Sequence, residues 1–474
     1  MLSPLAARAD IDDRATAHTA RRTTRRHFLW QAAGIAAIGL MPGISRRAFA
    51  AAQGNRKLDI VKIDRTTVKV PFREVPARNM DREIPHWRYS EIVEVTLRNG
   101  QTGFGETLLY YTWGATEDAD VRRALGANAV EIMWDDELGA GLQMALFDAV
   151  ARSLEVPVHA LLGKQVYQRT PLSWWNIDTS PEDMVAECRE ALKQGYLAYK
   201  TKGRPWFDLW AMVEQAAKAV PENFKIDMDF NDTLLTAPKA IPILKELERY
   251  PQIGIYESPI FQSDIAGNQA IRAATRVPIA FHYGTPDAKI AITKEVCDGF
   301  VIGGGASRIL HRGTVSAMAD MPFWLQVVGT DISAAWSLHF GGVLSHATWP
   351  AVNCHQLFAH RLLTEPIEVA GGTAAVPKRP GLGFELNRDA VEKFRIEKPP
   401  ARPEPKRLIR TTWPDGRELL ISNTGQVNFM LNLFRQDGLP YFERGVHTEL
   451  VPNDGSQRWH EMYERGLKPK VVKR

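Results

Sequence analysis

The sequence predicts an α/β fold in which a parallel (β/α) barrel follows an N-terminal α+β domain. Between residues 172 and 328, short apolar runs alternate with amphipathic helical segments, which is the pattern of repeated βα units. Three charged residues, Lys202, Asp229 and Glu257, each end one such run, and they lie roughly 25 to 30 residues apart, the length of one barrel unit. Because the carboxyl ends of barrel strands meet at one mouth, we expect these side chains to lie side by side.

The first 50 residues have the pattern of an export signal. Arg25 and Arg26 precede an apolar run from Phe28 to Leu40, and Ala48-Phe49-Ala50 supplies the small residues that signal peptidase accepts. This pattern is typical of a twin-arginine signal peptide and predicts an exported, periplasmic protein. A membrane anchor is the alternative, but the run is shorter than the roughly 20 residues that span a bilayer. We expect no stable membrane span after the signal is removed.

Charge and cysteine content restrict the expected partners. The chain has a formal net charge of +4, but residues 1–50 contribute eight Arg against three Asp, so the remainder is near −1. This balance argues against a nucleic-acid partner. The cysteines at 188, 297 and 354 have neither disulfide nor metal spacing, and we expect them to be buried and reduced.

Residues 58–164 predict the small α+β domain. Two segments, Asp59–Ile63 and Tyr89–Leu97, alternate apolar and polar residues at the period of a strand. An irregular loop is expected between them, over Glu74–Trp87. A helix is expected over Leu142–Ala151, which is apolar on one face at helical spacing.

Residues 165–390 predict the barrel, and its helices include 184–194 and 207–220. Residues 399–474 are an additional C-terminal extension to which the sequence assigns no role. The expected barrel strands are Leu172–Trp175, Leu197–Lys202, Phe224–Met228, Ile253–Tyr256, Val277–Phe281, Gly299–Ile302 and Trp324–Val328.

Two motifs give the chain a family resemblance over about residues 58 to 390. The run Ala145–Lys164 resembles the junction of capping domain and barrel in the enolase superfamily, in its mandelate racemase and muconate lactonizing branch. Gly103-Phe104-Gly105-Glu106 resembles that family's capping-domain signature. The resemblance implies a modified (β/α)7β TIM-type barrel with an N-terminal α+β capping domain, and a homo-oligomer. It also implies an enzyme that abstracts a proton α to a carboxylate and stabilises the enediolate with a divalent metal.

By this resemblance, Lys200-Thr201-Lys202 is the family's Lys-x-Lys strand, with Lys202 as the base. Strand periodicity places both ammonium groups on one side, where each lowers the pKa of the other. Asp229 and Glu257 resemble the first two metal ligands, and their oxygen atoms suit Mg²⁺. The alternatives are solvated lysines, a helix cap at Asp229 and a structural ion pair at Glu257.

The next strand departs from the family pattern at the third metal ligand. An acidic residue is expected there, but the chain has His282 followed by Tyr283. If His282 completes a site with Asp229 and Glu257, the ligand set favours Zn²⁺, Mn²⁺ or Fe²⁺ over Mg²⁺. Otherwise the metal site is incomplete, or His282 is a barrel-end residue without a ligand role. The Tyr283 phenol is a poor Mg²⁺ ligand and is a candidate proton donor.

The far side of the expected barrel mouth lacks the second base that a racemase needs. The sixth strand runs into Val301–Gly305 and the seventh into Val327–Asp331, which leaves Asp331 as the candidate acid on that side. An elimination needs one placed base and an acid for the leaving group.

Aromatic and basic side chains near the expected mouth favour a sugar-acid ligand, since aromatic faces suit a ring and an Arg fork suits a carboxylate. Core packing is the alternative for each aromatic residue. The candidate substrate-binding residues are Trp174, Asn176, Arg204, Tyr111 and His86, with Trp175, Tyr110 and Trp113 near them.

We therefore expect a lyase or dehydratase that acts on a carbohydrate-derived acid. The expected metal ligands are Asp229, Glu257 and His282. The expected catalytic residues are Lys200, Lys202, His282, Tyr283 and Asp331. Two alternatives stay open: a metal-independent lyase or isomerase that uses Lys, His and Tyr side chains, and a non-catalytic periplasmic protein that binds sugar acids.

Overall fold

The computed structural model of the chain describes residues 56–111, 114–423, 425–437 and 440–473. The export signal expected in residues 1–50 and the candidate Trp113 lie outside the described residues. From Lys57 onwards the chain forms one unit, so contacts between its parts are part of one body. Within the described ranges, no helix has the length and apolar character needed to cross a membrane. Cys188, Cys297 and Cys354 are buried and free, as expected.

The N-terminal domain is a three-stranded antiparallel sheet with helices packed against it. The strands β1 (Ile60–Lys69), β2 (Tyr89–Leu97) and β3 (Thr102–Leu108) pair in chain order. The helices are α1 (Glu74–Glu83), α2 (Asp118–Ala124), α3 (Ala129–Ile132), α4 (Ala140–Ser153) and α5 (His159–Leu162).

The glycines of the Gly-Phe-Gly-Glu motif let α4 pack directly on β3. A Cβ added at Gly103 would lie 2.2 Å from the backbone nitrogen of Ala149, and one at Gly105 would lie 2.3 Å from the carbonyl oxygen of Gly141. No larger residue fits such a close approach of strand and helix backbones.

The prediction of an irregular loop over Glu74–Trp87 is wrong. The structure has α1 there, followed by a 3-10 turn at Pro85–Arg88. Distant partners hold this helix: Asn79 Nδ2 donates to the Asp183 carboxylate at 3.1 Å, and Arg407 donates to the carbonyl oxygens of Arg82 and Glu83. Such tertiary contacts override weak local helix propensity and leave no local sequence signal.

The second part of the chain is a closed parallel barrel. Its last strand, β11 (Ala351–Val352), pairs with β4 (Arg169–Trp175), and a bridge from Val352 to Gln326, just after β10 (Phe323–Leu325), closes the ring. The strands are β4 (Arg169–Trp175), β5 (Ala198–Lys202), β6 (Lys225–Asp229), β7 (Ile253–Glu257), β8 (Ile279–His282), β9 (Gly299–Ile302), β10 (Phe323–Leu325) and β11 (Ala351–Val352).

Seven helices alternate with these strands, so the barrel is of the (β/α)7β type with an N-terminal capping domain, and the expected fold class is confirmed. The helices are α6 (Pro181–Lys193), α7 (Leu209–Ala219), α8 (Ala237–Leu247), α9 (Ile265–Ala274), α10 (Ala288–Thr293), α11 (Ala306–Met318) and α12 (Asp331–Val343). After the barrel, β12 (Val369–Ala370) and β13 (Thr373–Ala375) form a hairpin on β4, and α13 (Arg388–Phe394) leads the chain back to β1.

The C-terminal extension is a small four-stranded sheet with two helices. Its elements are β14 (Leu408–Thr412), β15 (Arg417–Ser422), α14 (Phe429–Asp437), β16 (His447–Val451), α15 (Gln457–Gly466) and β17 (Val472–Lys473). Trp206 and Phe207, in the loop after β5, belong to the same apolar cluster as Ile409, Leu419 and Phe434 of the extension. The extension therefore packs on a loop at the mouth end of the barrel.

Candidate active site

Four charged side chains meet at the carboxyl ends of β5, β6 and β7. The strand register pairs Lys202 with Asp229 and Asp229 with Glu257. Lys200, two residues before Lys202, points to the same side of β5 and is 2% exposed, while Glu257 is 0% exposed. The side-by-side arrangement expected from the spacing is present.

Two ammonium groups share one oxygen of Asp229. Lys202 Nζ donates to Asp229 Oδ2, and Lys200 Nζ lies 3.6 Å from the same atom. Lys200 Nζ is also 2.5 Å from Glu257 Oε2. Lys202 Nζ has a second partner in Asn231 Oδ1 at 3.0 Å, and the Asn231 backbone N–H donates to Asp229 Oδ1 at 2.9 Å. The loop after β6 thus fixes both Lys202 and Asp229.

His282 joins this cluster, but Tyr283 does not. His282 Nε2 lies 2.8 Å from Glu257 Oε1, and 47% of the His282 side chain is exposed. The Tyr283 ring packs 5.1 Å from the ring of Phe300 and 5.4 Å from the Arg312 guanidinium. The Tyr283 ring is thus held against Phe300 and Arg312, and its expected catalytic role stays a prediction.

The residue pattern gave no role to Gln326, which connects the cluster to the capping domain. Gln326 Oε1 accepts from Lys200 Nζ at 3.3 Å, and Gln326 Nε2 donates to the Tyr111 hydroxyl at 3.5 Å. Lys200 Nζ also lies 5.4 Å from the ring of Trp324. The signal for Gln326 is its position one residue after β10, at the same mouth as Lys202.

An aromatic wall extends from the capping domain to β4. Trp87 stacks on Trp175 at 5.5 Å, and Tyr111 meets Trp87 edge-on at 4.7 Å. Trp174 faces the other way: its Nε1 donates to Glu187 on α6 at 2.8 Å, and Arg73 lies 4.8 Å from its ring. The substrate role expected of Trp174 is corrected to core packing.

Arg204 is committed to a buried ion pair. Its Nε donates to Asp178 Oδ1 at 2.9 Å, and Trp206 Nε1 donates to the other Asp178 oxygen at 3.1 Å. Because Arg204 is buried and already has a carboxylate partner, the expected contact with a substrate carboxylate is not supported.

Asn176 and His86 are buried polar residues with spare hydrogen-bonding capacity. Asn176 Oδ1 accepts from the Ile177 backbone N–H at 2.8 Å, whereas Asn176 Nδ2 and both His86 ring nitrogens have no hydrogen-bond partner within the described ranges. Burial, with the charges of Arg402 and Arg407, lowers the pKa of His86 to about 3, so the ring is neutral. Both residues keep their candidate ligand-binding roles.

Asp331 is not available as an acid. Its two carboxylate oxygens accept from the backbone N–H groups of Leu362 and Leu363 at 3.0 and 2.9 Å. Glu106, from the capping signature, accepts from the backbone N–H of Ser333 at 2.9 Å and so binds the same end of α12. The expected catalytic role of Asp331 is corrected to a structural one.

The two lysines have opposite electrostatic environments. Burial lowers the pKa of Lys202 below its ordinary value, and the charges of Lys200 and Arg204 act in the same direction against the opposing effect of Asp229. Burial also acts to lower the pKa of Lys200, but Glu257 and Asp229 outweigh it and raise that pKa. Lys202 is therefore the lysine that loses its proton more easily.

Known proteins share this architecture. Residues 183–390 match the family described as Enolase C-terminal domain-like. The chain is 24% identical over 351 residues to D-galactarolactone cycloisomerase from Agrobacterium fabrum. This alignment covers 65% of this chain and 92% of that protein. It is 25% identical over 307 residues to D-gluconate dehydratase from Thermoproteus tenax. This second alignment covers 58% of this chain and 60% of that protein.

A crystal structure of muconate cycloisomerase from Pseudomonas fluorescens superposes with a TM-score of 0.59 at 21% identity, over 72% of this chain and 99% of that one. Together these findings show that the chain is similar to proteins of the enolase superfamily and shares their fold. The relatives are enzymes, and the expectation of an enzyme of this type is confirmed. The two relatives named above are an isomerase and a lyase by name.

Enolase-superfamily members generally use a divalent metal, for which Asp229, Glu257 and His282 are the expected ligands in this chain. Within the described ranges, no three His, Cys, Asp or Glu side chains are arranged to hold a metal ion. The Lys200 ammonium lies between the carboxylates of Asp229 and Glu257, and His282 Nε2 is directed at Glu257. The expected metal centre of Asp229, Glu257 and His282 is therefore not formed, and these residues do not fit the ion.

Proposed function

We propose that this enzyme is a lyase that removes the proton α to the carboxylate of a carbohydrate-derived acid and expels a β-leaving group, with Lys202 as the base. The observation that supports it most directly is the position of Lys202 at the barrel mouth. Its side chain is 14% exposed, and its ammonium is held by Asp229 and Asn231. Burial lowers its pKa below the ordinary lysine value, which is the direction that favours a general base.

In the proposed reaction, neutral Lys202 takes the α-proton, and the electron pair of the C–H bond moves into the substrate carboxylate to give an enediolate. The pair then returns to form a carbon–carbon double bond as the β-carbon–oxygen bond breaks, and a proton on that oxygen releases water. Lys200 places a positive charge beside Lys202, where negative charge develops on the substrate. His282, partly exposed and held by Glu257, is the proposed proton donor to the leaving group.

The cofactor expected from the resemblance is a divalent metal, Mg²⁺ first and Mn²⁺, Zn²⁺ or Fe²⁺ as alternatives. It has no part in this proposal because the side chains do not fit such an ion. Isomerisation with a single base is the second candidate, favoured by the similarity to a cycloisomerase. A non-catalytic sugar-acid binder is set aside because the relatives are enzymes.

The substrate is proposed to contact the aromatic wall of Trp87, Tyr111 and Trp175, with Asn176 and His86 as hydrogen-bonding groups. Aromatic faces next to polar groups suit the carbon–hydrogen and hydroxyl surfaces of a sugar acid. A homo-oligomer and export through the twin-arginine pathway remain proposals. Changing both Arg25 and Arg26 to Lys should retain the precursor in the cytoplasm, and normal periplasmic recovery would contradict the export proposal.

The proposed reaction is tested with a panel of aldonic, uronic and lactonised sugar acids and the purified protein. Mass spectrometry should show loss of one water from at least one acid, and NMR should show a keto or unsaturated product. An isomer of unchanged mass would favour the second candidate. A folded protein that changes none of the panel would contradict both.

A further inference from the structure

We infer that the Lys200 ammonium takes the place of the divalent cation between Asp229 and Glu257, so that this site works without a metal ion. The inference deepens the proposed function, and its catalytic part rests on that proposal. Its binding part does not, because cation occupancy can be measured without any substrate.

The geometry of Lys200 carries the first step. Its Nζ is 2.5 Å from Glu257 Oε2 and 3.6 Å from Asp229 Oδ2, so one ammonium faces carboxylates from two neighbouring strands. Hard divalent cations bind carboxylate oxygens at roughly 2.0 to 2.6 Å. An ion that bridged these two oxygens would need the volume that the ammonium fills. Lys200 and a bridging ion therefore exclude one another.

Charge balance carries the second step. Asp229 and Glu257 supply two negative charges in a buried site, and the Lys200 ammonium already offsets one of them even when Lys202 is neutral. A divalent ion beside Lys200 would leave at least one uncompensated positive charge where desolvation is costly. His282 brings a nitrogen ligand but no negative charge.

Among the described residues, no further acid is arranged with Asp229 and Glu257 to hold an ion. The family's third acidic position holds Tyr283, whose ring packs against Phe300. Asp227 and Cys354 interact electrostatically with Lys200. Even with these two included, the described side chains contain no set of three arranged to hold an ion.

The surroundings of Lys200 carry the third step, because they are built for a resident cation. Besides the two carboxylates, Gln326 Oε1 accepts from its Nζ at 3.3 Å, and the Trp324 ring lies 5.4 Å away. Lys200 is 2% exposed, whereas the Lys202 side chain is 14% exposed. The two lysines thus divide the work: Lys200 supplies fixed positive charge, and Lys202 moves the proton.

The test titrates Mn²⁺ into the purified protein and follows free Mn²⁺ by electron paramagnetic resonance. The parent protein should bind no stoichiometric Mn²⁺, and elemental analysis should find substoichiometric metal. Lys200→Ala leaves Asp229, Glu257 and His282 without the competing ammonium, so it should gain one Mn²⁺ site at least about tenfold tighter than any in the parent. Lys200→Met, whose uncharged side chain is one atom shorter than that of lysine, should gain less, because its stem still fills part of the space.

Lys218→Ala is the matched control. Lys218 is an exposed lysine paired with Glu214 on α7, and its loss should leave Mn²⁺ binding as in the parent. One tightly bound Mn²⁺ in the parent would overturn the inference. Failure of both folded Lys200 variants to gain a site would also overturn it, because Lys200 would then not be what occupies the cation position. If the variants do not fold, the Mn²⁺ titration of the parent protein alone tests the inference. A parent protein that binds neither Mn²⁺ nor a sugar acid would contradict the proposed function but not this inference.

Discussion

The two sides of the barrel mouth differ in what their strand ends carry. The charged side, formed by the ends of β5, β6, β7 and β8, presents Lys200, Lys202, Asp229, Glu257 and His282. The far side, at the ends of β9 and β10, consists of Gly303–Gly305 and residues 327–331. There the Asp331 carboxylate accepts hydrogen bonds from two backbone N–H groups. Under the proposed function, the difference predicts proton transfer on one face of a bound acid, which suits elimination better than racemisation.

The C-terminal extension supports the charged side. Arg435 of α14 donates to the Asn231 carbonyl oxygen at 3.3 Å and to Asp232 Oδ2 at 3.1 Å. Asn231, Asp232 and Leu235 have φ angles of 44°, 68° and 65°, a conformation that non-glycine residues adopt at a cost. The family match ends at residue 390, before the extension that holds this loop.

The largest expected effect follows from removing the base on the charged side. Lys202→Met should lower the rate of turnover by about 10² to 10⁴-fold, which is the usual contribution of a positioned general base. Rates are measured on an acid identified in the panel, with circular dichroism to confirm folding. Lys218→Met, at an exposed position, should keep the parent rate. Parent-like turnover in the Lys202 variant would remove this lysine from the mechanism.

The next effect concerns the buried pair beside that base. Asp178→Ala leaves the Arg204 guanidinium buried without its carboxylate, so the free energy of unfolding should fall by about 3 to 5 kcal/mol. Denaturant unfolding measures this loss. Glu74→Ala, which breaks an exposed pair with Arg78, should cost less than about 1 kcal/mol. Equal losses in the two variants would mean that the Arg204 pair contributes no more than a surface contact.

On the far side, Asp331→Asn tests whether Asp331 acts through structure alone. An amide cannot accept both backbone N–H groups as the carboxylate does, so stability should fall by about 1 to 3 kcal/mol. The turnover of the folded variant should stay within a few-fold of the parent. A fall in turnover of about a hundredfold, with stability unchanged, would restore Asp331 as a catalytic acid.

The pH dependence of stability tests a buried histidine of α12. His339 Nδ1 accepts from the His159 backbone N–H at 3.1 Å, and burial lowers the pKa of His339 to about 3 from an ordinary 6.5. The folded state therefore binds fewer protons than the unfolded state between these values, and stability is lost as the pH falls below 6.5. Protonation of His339 in the unfolded state should lower the free energy of unfolding by about 2 kcal/mol when the pH falls from 7 to 5. The melting temperature of His339→Gln should depend less on pH over this range, and an unchanged slope would contradict the assignment.

The smallest expected effect concerns the extension. Arg435→Ala removes the contacts with Asn231 and Asp232, so it should cost about 1 kcal/mol of stability for a partly exposed pair. Because Asn231 holds Lys202, the variant should also lower kcat by a few-fold with little change in KM. Arg444→Ala, which breaks an exposed pair with Glu246, is the control. Identical kcat in the two variants would separate the extension from catalysis.

The sequence was sufficient for the fold class and for the placement of Lys202, Asp229 and Glu257, because strand alternation and unit spacing are local properties. It was insufficient where a partner is distant along the chain. Arg204 appears free in the sequence, and only the fold brings Asp178 to it. Trp174 and Trp175 are neighbours in the sequence, but strand alternation turns them to opposite faces of β4. Helix α1 and the extension depend on the same kind of tertiary contact.

The central claim is that Lys202, on the charged side, removes the α-proton from one face of the acid. Its most direct test is solvent deuterium exchange, in which the enzyme is incubated in D₂O with an acid from the panel and the recovered acid and product are examined by NMR. The parent should exchange the α-hydrogen and return the acid with its configuration retained, and Lys202→Met should show no exchange above buffer. Exchange that persists in Lys202→Met, or inversion at the α-carbon by the parent, would contradict the claim.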